Sequence, residues 1–511
     1  MANYKPDLSG QNCFIAVDFE QQIIPGTFEY ALSRIIDKHI DLTVFDSLYQ
    51  NDNGGAAAYP PSIMLKIILF AYSRGIITSR RIANACEKNI TFMALSGDVQ
   101  PHYTSIARFV AKLSQHIETV FTQVLMICEQ QNLIGHHMFA IDGCKITSNA
   151  SKEWSGKFEE LSRKEARMRR ASARIIAKHQ QQDEMGENDY QADIKQKQKL
   201  DAGANKIKRF LAVNKERLGA RKNPIKSNIT DNDSAKMTTS KGTIQGYNGI
   251  AIADDKNQIV LHAKAVGSVG EQQTLQPAVE QLKTQLTKLG KTQPFKGAKF
   301  TADSGFHSKD NLAFLSETEL DCYIADTGFR SRNPLFMNSE TYQKEQAKKR
   351  KKRHNHSGRY FTHRDFSANF EQLTCTCPAG KPMWCSNKNM TCGNKAGMNF
   401  TGYLKHCRQC PIKNQCMQKP PSKTGRQVFM PHPQQQNAPD LNQQMKDKID
   451  SPDGRRQYSK RLGCIEPVFG NITANKGMNK LTLRGQTKVN AQWQAFCLVH
   501  NIEKLRDHLD T

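Results

Sequence analysis

No apolar run in this chain is long enough to cross a membrane: the most hydrophobic stretch, IMLKIILFAY, is short and broken by Lys66. The first residues, MANYKPDLSGQ, lack a secretory leader pattern, so a cytoplasmic protein is expected. Nucleotide-binding signatures are missing as well. GKT at 290–292 ends like a phosphate loop, but Gln285 stands where that loop needs its first glycine, and no dinucleotide glycine fingerprint occurs, which argues against an ATPase. No Ser/His/Asp signature is apparent. Acids are scarce relative to bases, 48 against 73 Lys and Arg, giving a net charge of +25. That imbalance points to a polyanionic partner, nucleic acid first and an anionic membrane surface second. At 511 residues the chain has room for about two to four folding units.

Fourteen cysteines are present, and half of them crowd between Cys375 and Cys416. In a long chain without an export signal this clustering favours a metal over disulfides. Cys407 and Cys410 have the two-residue gap of a zinc knuckle, Cys416 follows, and Cys377 is the candidate fourth thiolate, with Cys385 and Cys392 as spares. A structural Zn²⁺, unliganded thiols and redox chemistry all fit this pattern, zinc best.

Hydrophobic spacing predicts helices over 27–47, over YPPSIMLKIILFAYSRG, over TSRRIANACEK and, as one longer element, over TSIARFVAKLSQHIETVFTQVLMIC. In the second, Ile63, Ile67, Phe70 and Ala71 fall on one face. Arg80, Arg81 and Arg108 make these helices either a compact DNA-binding module or a bundle with solvated arginines. HMFAIDGCKITSN reads as a strand ending at Asp142. The charged segment from Lys152 to about Lys222 reads as two long helices, a solvated hairpin or a phosphate-tracking surface. TIQGYNGIAIADDKNQIVLHAKAV has hairpin alternation, with Asp254 and Asp255 in its turn. A helix from about Glu271 to Leu289 leads to the strands AKFTADSG and DCYIAD. Regular patterning then dissolves from about Asn333 to Asp453, where the basic run from Lys348 to Arg359 is either a phosphate-binding tract or a tether. YSKRLGCIEPVFGNI and NAQWQAFCLVHNIEKL close the chain as helices. The whole reads as an α/β layer interrupted by insertions.

Asp142 and Asp303 each close an apolar strand candidate and precede small residues, where α/β sheets carry functional groups. Glu466, in IEPVFG, is the best third acid. Three carboxylates from separate chain positions can hold two hard divalent cations without a specially tuned general base.

Together these segments resemble the DDE transposases of bacterial insertion sequences. YPPSIMLKIILFAY and the helices after it resemble that family's N-terminal domain, and FAIDGCKITSNAS and TADSGFHS the surroundings of its two aspartates. NITDNDSAKM and GYNGIAIADD resemble the segments between those two, and IEPVFGNITANKGMNKLTLRGQTKVNAQWQAFCLVHNIEKL the segment carrying its glutamate. CPAGK and the close cysteines resemble the insertion of one branch. The resemblance implies an RNase H-like α/β core with an N-terminal helical domain (1–132), a first core part (133–332) containing a charged helical insertion (152–226), a basic and Cys-rich insertion (333–453) and a closing core part (454–511). It implies Asp142, Asp303 and Glu466 as ligands of two Mg²⁺ or Mn²⁺, double-stranded element and target DNA as partners, no membrane, and a homodimer or larger assembly on DNA. Family members carry a Tyr, an Arg and a Lys around the glutamate. Tyr458 and Arg461 fit, though Arg461 lies one position too far from Glu466; Thr473 stands where the Lys belongs, leaving Lys476 as the substitute DNA contact. The implied activity is metal-dependent phosphodiester cleavage and strand transfer; the alternatives are a nuclease that cuts without joining and an inactive DNA-binding descendant.

Overall fold

The computed structural model describes residues 16–508 except 50, 52–53, 55–56, 182–186, 220–221, 240–241, 268–269, 338, 341–342, 344–359, 393–394, 418–420, 422 and 433–439. The basic run from Lys348 to Arg359 therefore lies outside the described residues. Two compact units emerge: residues up to Ala325 together with those from Pro452 onward, and Asp326–Ser451.

The first unit opens with helices α1 (Phe28–Lys38), α2 (Pro61–Ser73), α3 (Ser79–Lys88), α4 (Ile90–Ser96), α5 (Tyr103–Lys112) and α6 (Ile117–Gln130). Each boundary has a local cause. Thr27 caps α1 by accepting from the Tyr30 N–H, Pro61 opens α2 where no backbone donor is needed, and Asn89 caps α4, which Gly97 ends at φ +62°. The expected helix over 27–47 stops at Lys38 and resumes only as a 3₁₀ turn, Thr43–Leu48. The expected long helix after Thr104 is likewise split, by a 3₁₀ turn at Leu113–Gln115. In α2 burial extends well beyond one face: Met64, Leu65 and Ile67 through Tyr72 are all buried, while Ile63 is only half-buried. Tyr72 stacks on Phe496 of the last helix, Gln486–Leu505, with ring centroids 4.6 Å apart.

The sheet of this unit is mixed. Its strands are β1 (Met138–Thr147), β4 (Ala235–Thr239), β5 (Gly242–Asp254), β6 (Val260–Val266), β7 (Lys299–Ala302) and β8 (Asp321–Ile324); a separate two-stranded ribbon joins β2 (Ser155–Gly156) to β3 (Ser227–Asn228). β5 runs antiparallel to β1, β4 and β6, whereas β1, β7 and β8 are mutually parallel. The β5–β6 hairpin forms where alternation predicts it. Between β2 and β3 the two charged helices α7 (Phe158–Gln181) and α8 (Glu187–Val213) pack as a pair, with Leu161, Ile207 and Ile229 in their own small core. Helix α9 (Leu275–Lys288) precedes β7, and α10 (Lys309–Ser316) links β7 to β8.

The last helix is pinned to the sheet by polar groups inside an apolar contact. Buried Trp493 donates Nε1–H to the Ile250 carbonyl at 2.9 Å, and Asn501 accepts from the Val260 N–H while donating to its carbonyl, both at 2.8 Å. Gly249 leaves room for the indole, since a Cβ there would sit 3.1 Å from the ring.

In the second unit the sequence offers little pattern, yet five antiparallel strands form: β9 (Ser367–Asn369), β10 (Thr374–Thr376), β11 (Pro382–Cys392), β12 (Lys395–Gly402) and β13 (Gln427–Pro431), ordered β13-β12-β11-β10-β9. Their core is small, with Phe366, Cys375, Met383, Phe400, Val428 and Met430 at its centre. Arg332 ties the two ends of this unit together, reaching Asp326 and Asp450 at 2.5 Å each.

Asp254 ends β5 fully buried and accepts from the N–H groups of Gly135, His136 and Lys256 at 2.8–3.0 Å. Burial pushes its carboxyl above the usual range, and the three donors oppose that rise. Asp254→Ala strands three buried donors and should cost roughly 3 kcal/mol in urea unfolding, against a negligible change for Asp255→Ala in the same turn.

Candidate active site

The two aspartates meet through strand register. β1 and β7 pair in parallel from Met138 opposite Lys299 to Ile141 opposite Ala302, so Asp142 and Asp303 are the next residues on neighbouring strands. Asp142 lies inside its strand rather than at its end, because β1 continues to Thr147 against β5. What ends at Asp142 is the parallel pairing, and the chain after β7 turns away there. That turn is held by the Gly305 N–H, which donates to Asp303 Oδ1 at 2.9 Å, and by Asn311, whose Nδ2 donates to the Phe306 carbonyl at 2.7 Å and the Gln272 carbonyl at 2.9 Å.

Glu466 comes from the helix Pro452–Gly470. A missing backbone donor at Pro467 suggests that the helix begins or kinks there; it does not begin there but runs through the proline and ends in a π turn, Asn471–Asn475. The carbonyl that Pro467 cannot serve belongs to Gly463, and the Gln258 side chain donates to it at 3.2 Å. Arg461, one turn earlier, joins the acids. Its Nη1 donates to Asp142 Oδ2 at 2.6 Å, and its Nη2 lies 3.7 Å from Glu466 Oε1. Arg461 is 9 % exposed, whereas the Glu466 side chain is about half exposed. Tyr458 lies beside Arg461, with the guanidinium 5.9 Å from the ring centre. Burial pushes the Asp303 carboxyl above its ordinary range, the neighbouring Asp142 adds to this, and the Gly305 N–H and Arg461 pull the other way.

Glu271, read from sequence only as the start of a helix, also reaches this place. Its carboxyl is raised by burial and then by Asp303 and Asp142. No sequence signal separates it from the many acids favoured at helix N-termini.

Other candidates fall elsewhere. Arg80, Arg81 and Arg108 are exposed on α3 and α5, Arg80 over the Tyr103 ring. Lys476, the substitute DNA contact, is 2 % exposed and donates to Glu503 at 2.7 Å. In the second unit Cys377, Cys407, Cys410 and Cys416 line one hollow, where burial, and then its neighbours Cys407, Cys377 and Cys410, raise the Cys416 thiol against the opposing pull of Arg426. Cys375 is buried in the core and Cys392 exposed. Among the described residues no three His, Cys, Asp or Glu side chains are already closed into a metal-binding group, here or at the carboxylates. No described helix is long and apolar enough to cross a membrane.

A family model described as a transposase DDE domain matches residues 376–506, and one described as a transposase domain (DUF772) matches residues 17–112. Both matches support an insertion-sequence DDE transposase. The matched regions include Glu466 and α1–α5, while Asp142 and Asp303 fall outside both. No curated protein and no solved structure matches the chain. The family of the matching DDE domain implies an α/β core of RNase H-like type, polynucleotidyl transfer, use of a divalent metal and binding to DNA.

Lys476→Met removes the buried half of an ion pair whose other half, Glu503, is partly exposed, and should lower unfolding stability by roughly 2 kcal/mol, while leaving the salt dependence of DNA binding unchanged. Burial alone would raise the Glu503 carboxyl, but the bonds from Lys476 and Asn471 outweigh it and hold it below its ordinary value. The pair's contribution is therefore full above the usual carboxylate range and fades as pH falls through the depressed value, so the wild-type and Lys476→Met urea midpoints should converge in acid.

Proposed function

We propose that this transposase cuts DNA at the ends of its element and joins the freed 3′ ends to target DNA, with Asp142, Asp303 and Glu466 as the reacting centre of an RNase H-like core. The observation that carries this reading is the parallel register of β1 and β7, which sets two carboxylates side by side, with Arg461 joining Asp142 to the third.

The donor set suits Mg²⁺ or Mn²⁺: all oxygen, from rigid strand and helix positions, two of the carboxylates crowded enough that Asp303 resists ionising. Bound there, a pair of such ions would activate water or a 3′ hydroxyl and stabilise the leaving oxygen. The chain's own residues do the rest. The strand register keeps Asp142 and Asp303 aligned before DNA arrives, so no reorganisation is spent on them at the reaction. Arg461 sets its positive charge directly against Asp142, and with Tyr458 it borders the position a DNA phosphate would take. Arg80, Arg81 and Arg108 present charge to element-end DNA from α3 and α5, and the basic run from Lys348 to Arg359 adds phosphate contacts. Bringing two ends together calls for a homodimer or larger assembly.

Asp303→Asn should still bind end DNA but lose both cleavage and joining of labelled ends, by at least about a thousandfold. A wild-type protein that yields only cut ends would be a nuclease, and a mutant that cuts and joins normally would remove Asp303 from the chemistry.

We assign Cys377, Cys407, Cys410 and Cys416 to a structural Zn²⁺, supported by the four thiols sharing one hollow and by the Arg426 N–H donating to Cys407 Sγ at 3.5 Å, the kind of bond that steadies a thiolate ligand. Metal analysis of the purified protein should find about one zinc per chain, lost on changing Cys407 and Cys410 to serine.

A further inference from the structure

We infer that Glu271 is a fourth carboxylate of the ion-binding centre, held on its target by Asn248, and that a divalent cation bound at Asp303 is shared with it. The inference rests on the proposed function and deepens it, since the three acids read from the sequence do not include this one.

Three observations place Glu271. The segment that carries it is fastened to the loop after Asp303, because Asn311 donates to the carbonyls of both Gln272 and Phe306, and Gln272 Nε2 donates to the His307 carbonyl at 3.1 Å. Glu271 and Asp303 then open onto the same small space: a Cβ built on Gly305 would overlap Glu271 Oε2 and lie 3.0 Å from Asp303 Oδ1. Only glycine at 305 leaves that space free. The raised carboxyls of both residues follow from burial and from this crowding. Among cations, Lys145 acts on Glu271 and Arg461 on Asp303, but no hydrogen bond or ion pair from either of these two side chains to Glu271 or Asp303 is formed.

A separate observation points to a ligand rather than to a mere acidic cluster. Asn248, in the middle of β5, is 4 % exposed. Its Nδ2 donates to Glu271 Oε1 at 3.0 Å, and its Oδ1 has no hydrogen-bond partner among the described residues. The amide head sits against the peptide that follows Asp142: a Cβ on Gly143 would be 2.8 Å from both Asn248 terminal atoms, and the Gly143 N–H donates to Asp142 Oδ1 at 2.7 Å. A buried carbonyl oxygen without a donor is costly unless water or a cation meets it. Here the same amide is bonded to one carboxylate and packs against the peptide that is bonded to another, the setting in which a hard cation or its bound water serves as the missing partner.

The test is Mn²⁺ binding to the full-length protein without DNA, read from the free-ion electron paramagnetic resonance signal, for the wild type, Glu271→Gln, Glu271→Asp, Asn248→Ala and Asp303→Asn. Expected are affinities weaker by about tenfold in Glu271→Gln and severalfold in Asn248→Ala, with Glu271→Asp near the wild type and urea midpoints comparable throughout. If Glu271→Gln binds Mn²⁺ like the wild type while Asp303→Asn does not, Glu271 is no part of the centre and the proposed function stands. If Asp303→Asn also binds like the wild type, the carboxylate centre itself is wrong and the inference falls with it. Should Glu271→Gln unfold at lower urea, Asn248→Ala decides: unchanged affinity there overturns the inference.

Discussion

Repulsion between carboxylates that a sheet forces together is the condition around which this molecule is built. Asp142 and Asp303 cannot move apart, because each continues a strand whose pairing is fixed by buried Phe139, Ile141, Phe300 and Ala302. Met138, Ala140 and Thr301 on the opposite face are buried as well, so slipping the register by one residue would force both packed faces to exchange side chains of different size, and the core holds the charges in place. Arg461 is the answer within the protein: a nearly enclosed guanidinium that spans Asp142 and Glu466. Such an arrangement favours any additional cation, and the chemistry proposed for the site depends on that preference.

The insertions are compatible with this requirement because neither enters the strands that carry the aspartates. The α7–α8 pair leaves and returns through the β2–β3 ribbon with its own apolar contacts. The cysteine-rich unit is closed at its root by Arg332 between Asp326 and Asp450. Each has a local core, so its folding makes few demands on the register of β1 and β7.

Much of this was legible beforehand, for identifiable reasons. β7, β8 and the β5–β6 hairpin are short apolar or alternating runs with polar turns, and local pattern suffices to find them. β1 is legible too, but its end is not, since Asp142 sits inside a strand that goes on pairing with β5. The sheet of the second unit leaves little trace in the sequence: β11 is largely exposed, with only Met383 buried, and carries almost no hydrophobic period. Lys476 and Glu271 show the same limit for single charges. Burial of Lys476 depends on Glu503, and the company Glu271 keeps depends on a loop and a strand distant in sequence; neither relation leaves a mark on neighbouring residues. Arg461 is legible through its spacing from Tyr458, but its grip on Asp142 is a tertiary fact.

Pro467 gives the helix of Glu466 an anchor that an ordinary helical residue would not need. Because the Gly463 carbonyl is served by Gln258, from the turn between β5 and β6, the helix is stitched to the hairpin one turn before the acid. Lys504 of the last helix donates to the same Gln258 side chain at 3.0 Å. A single amide thus couples the two C-terminal helices to the tip of the hairpin, and a disturbance at any one of the three would be felt by the other two.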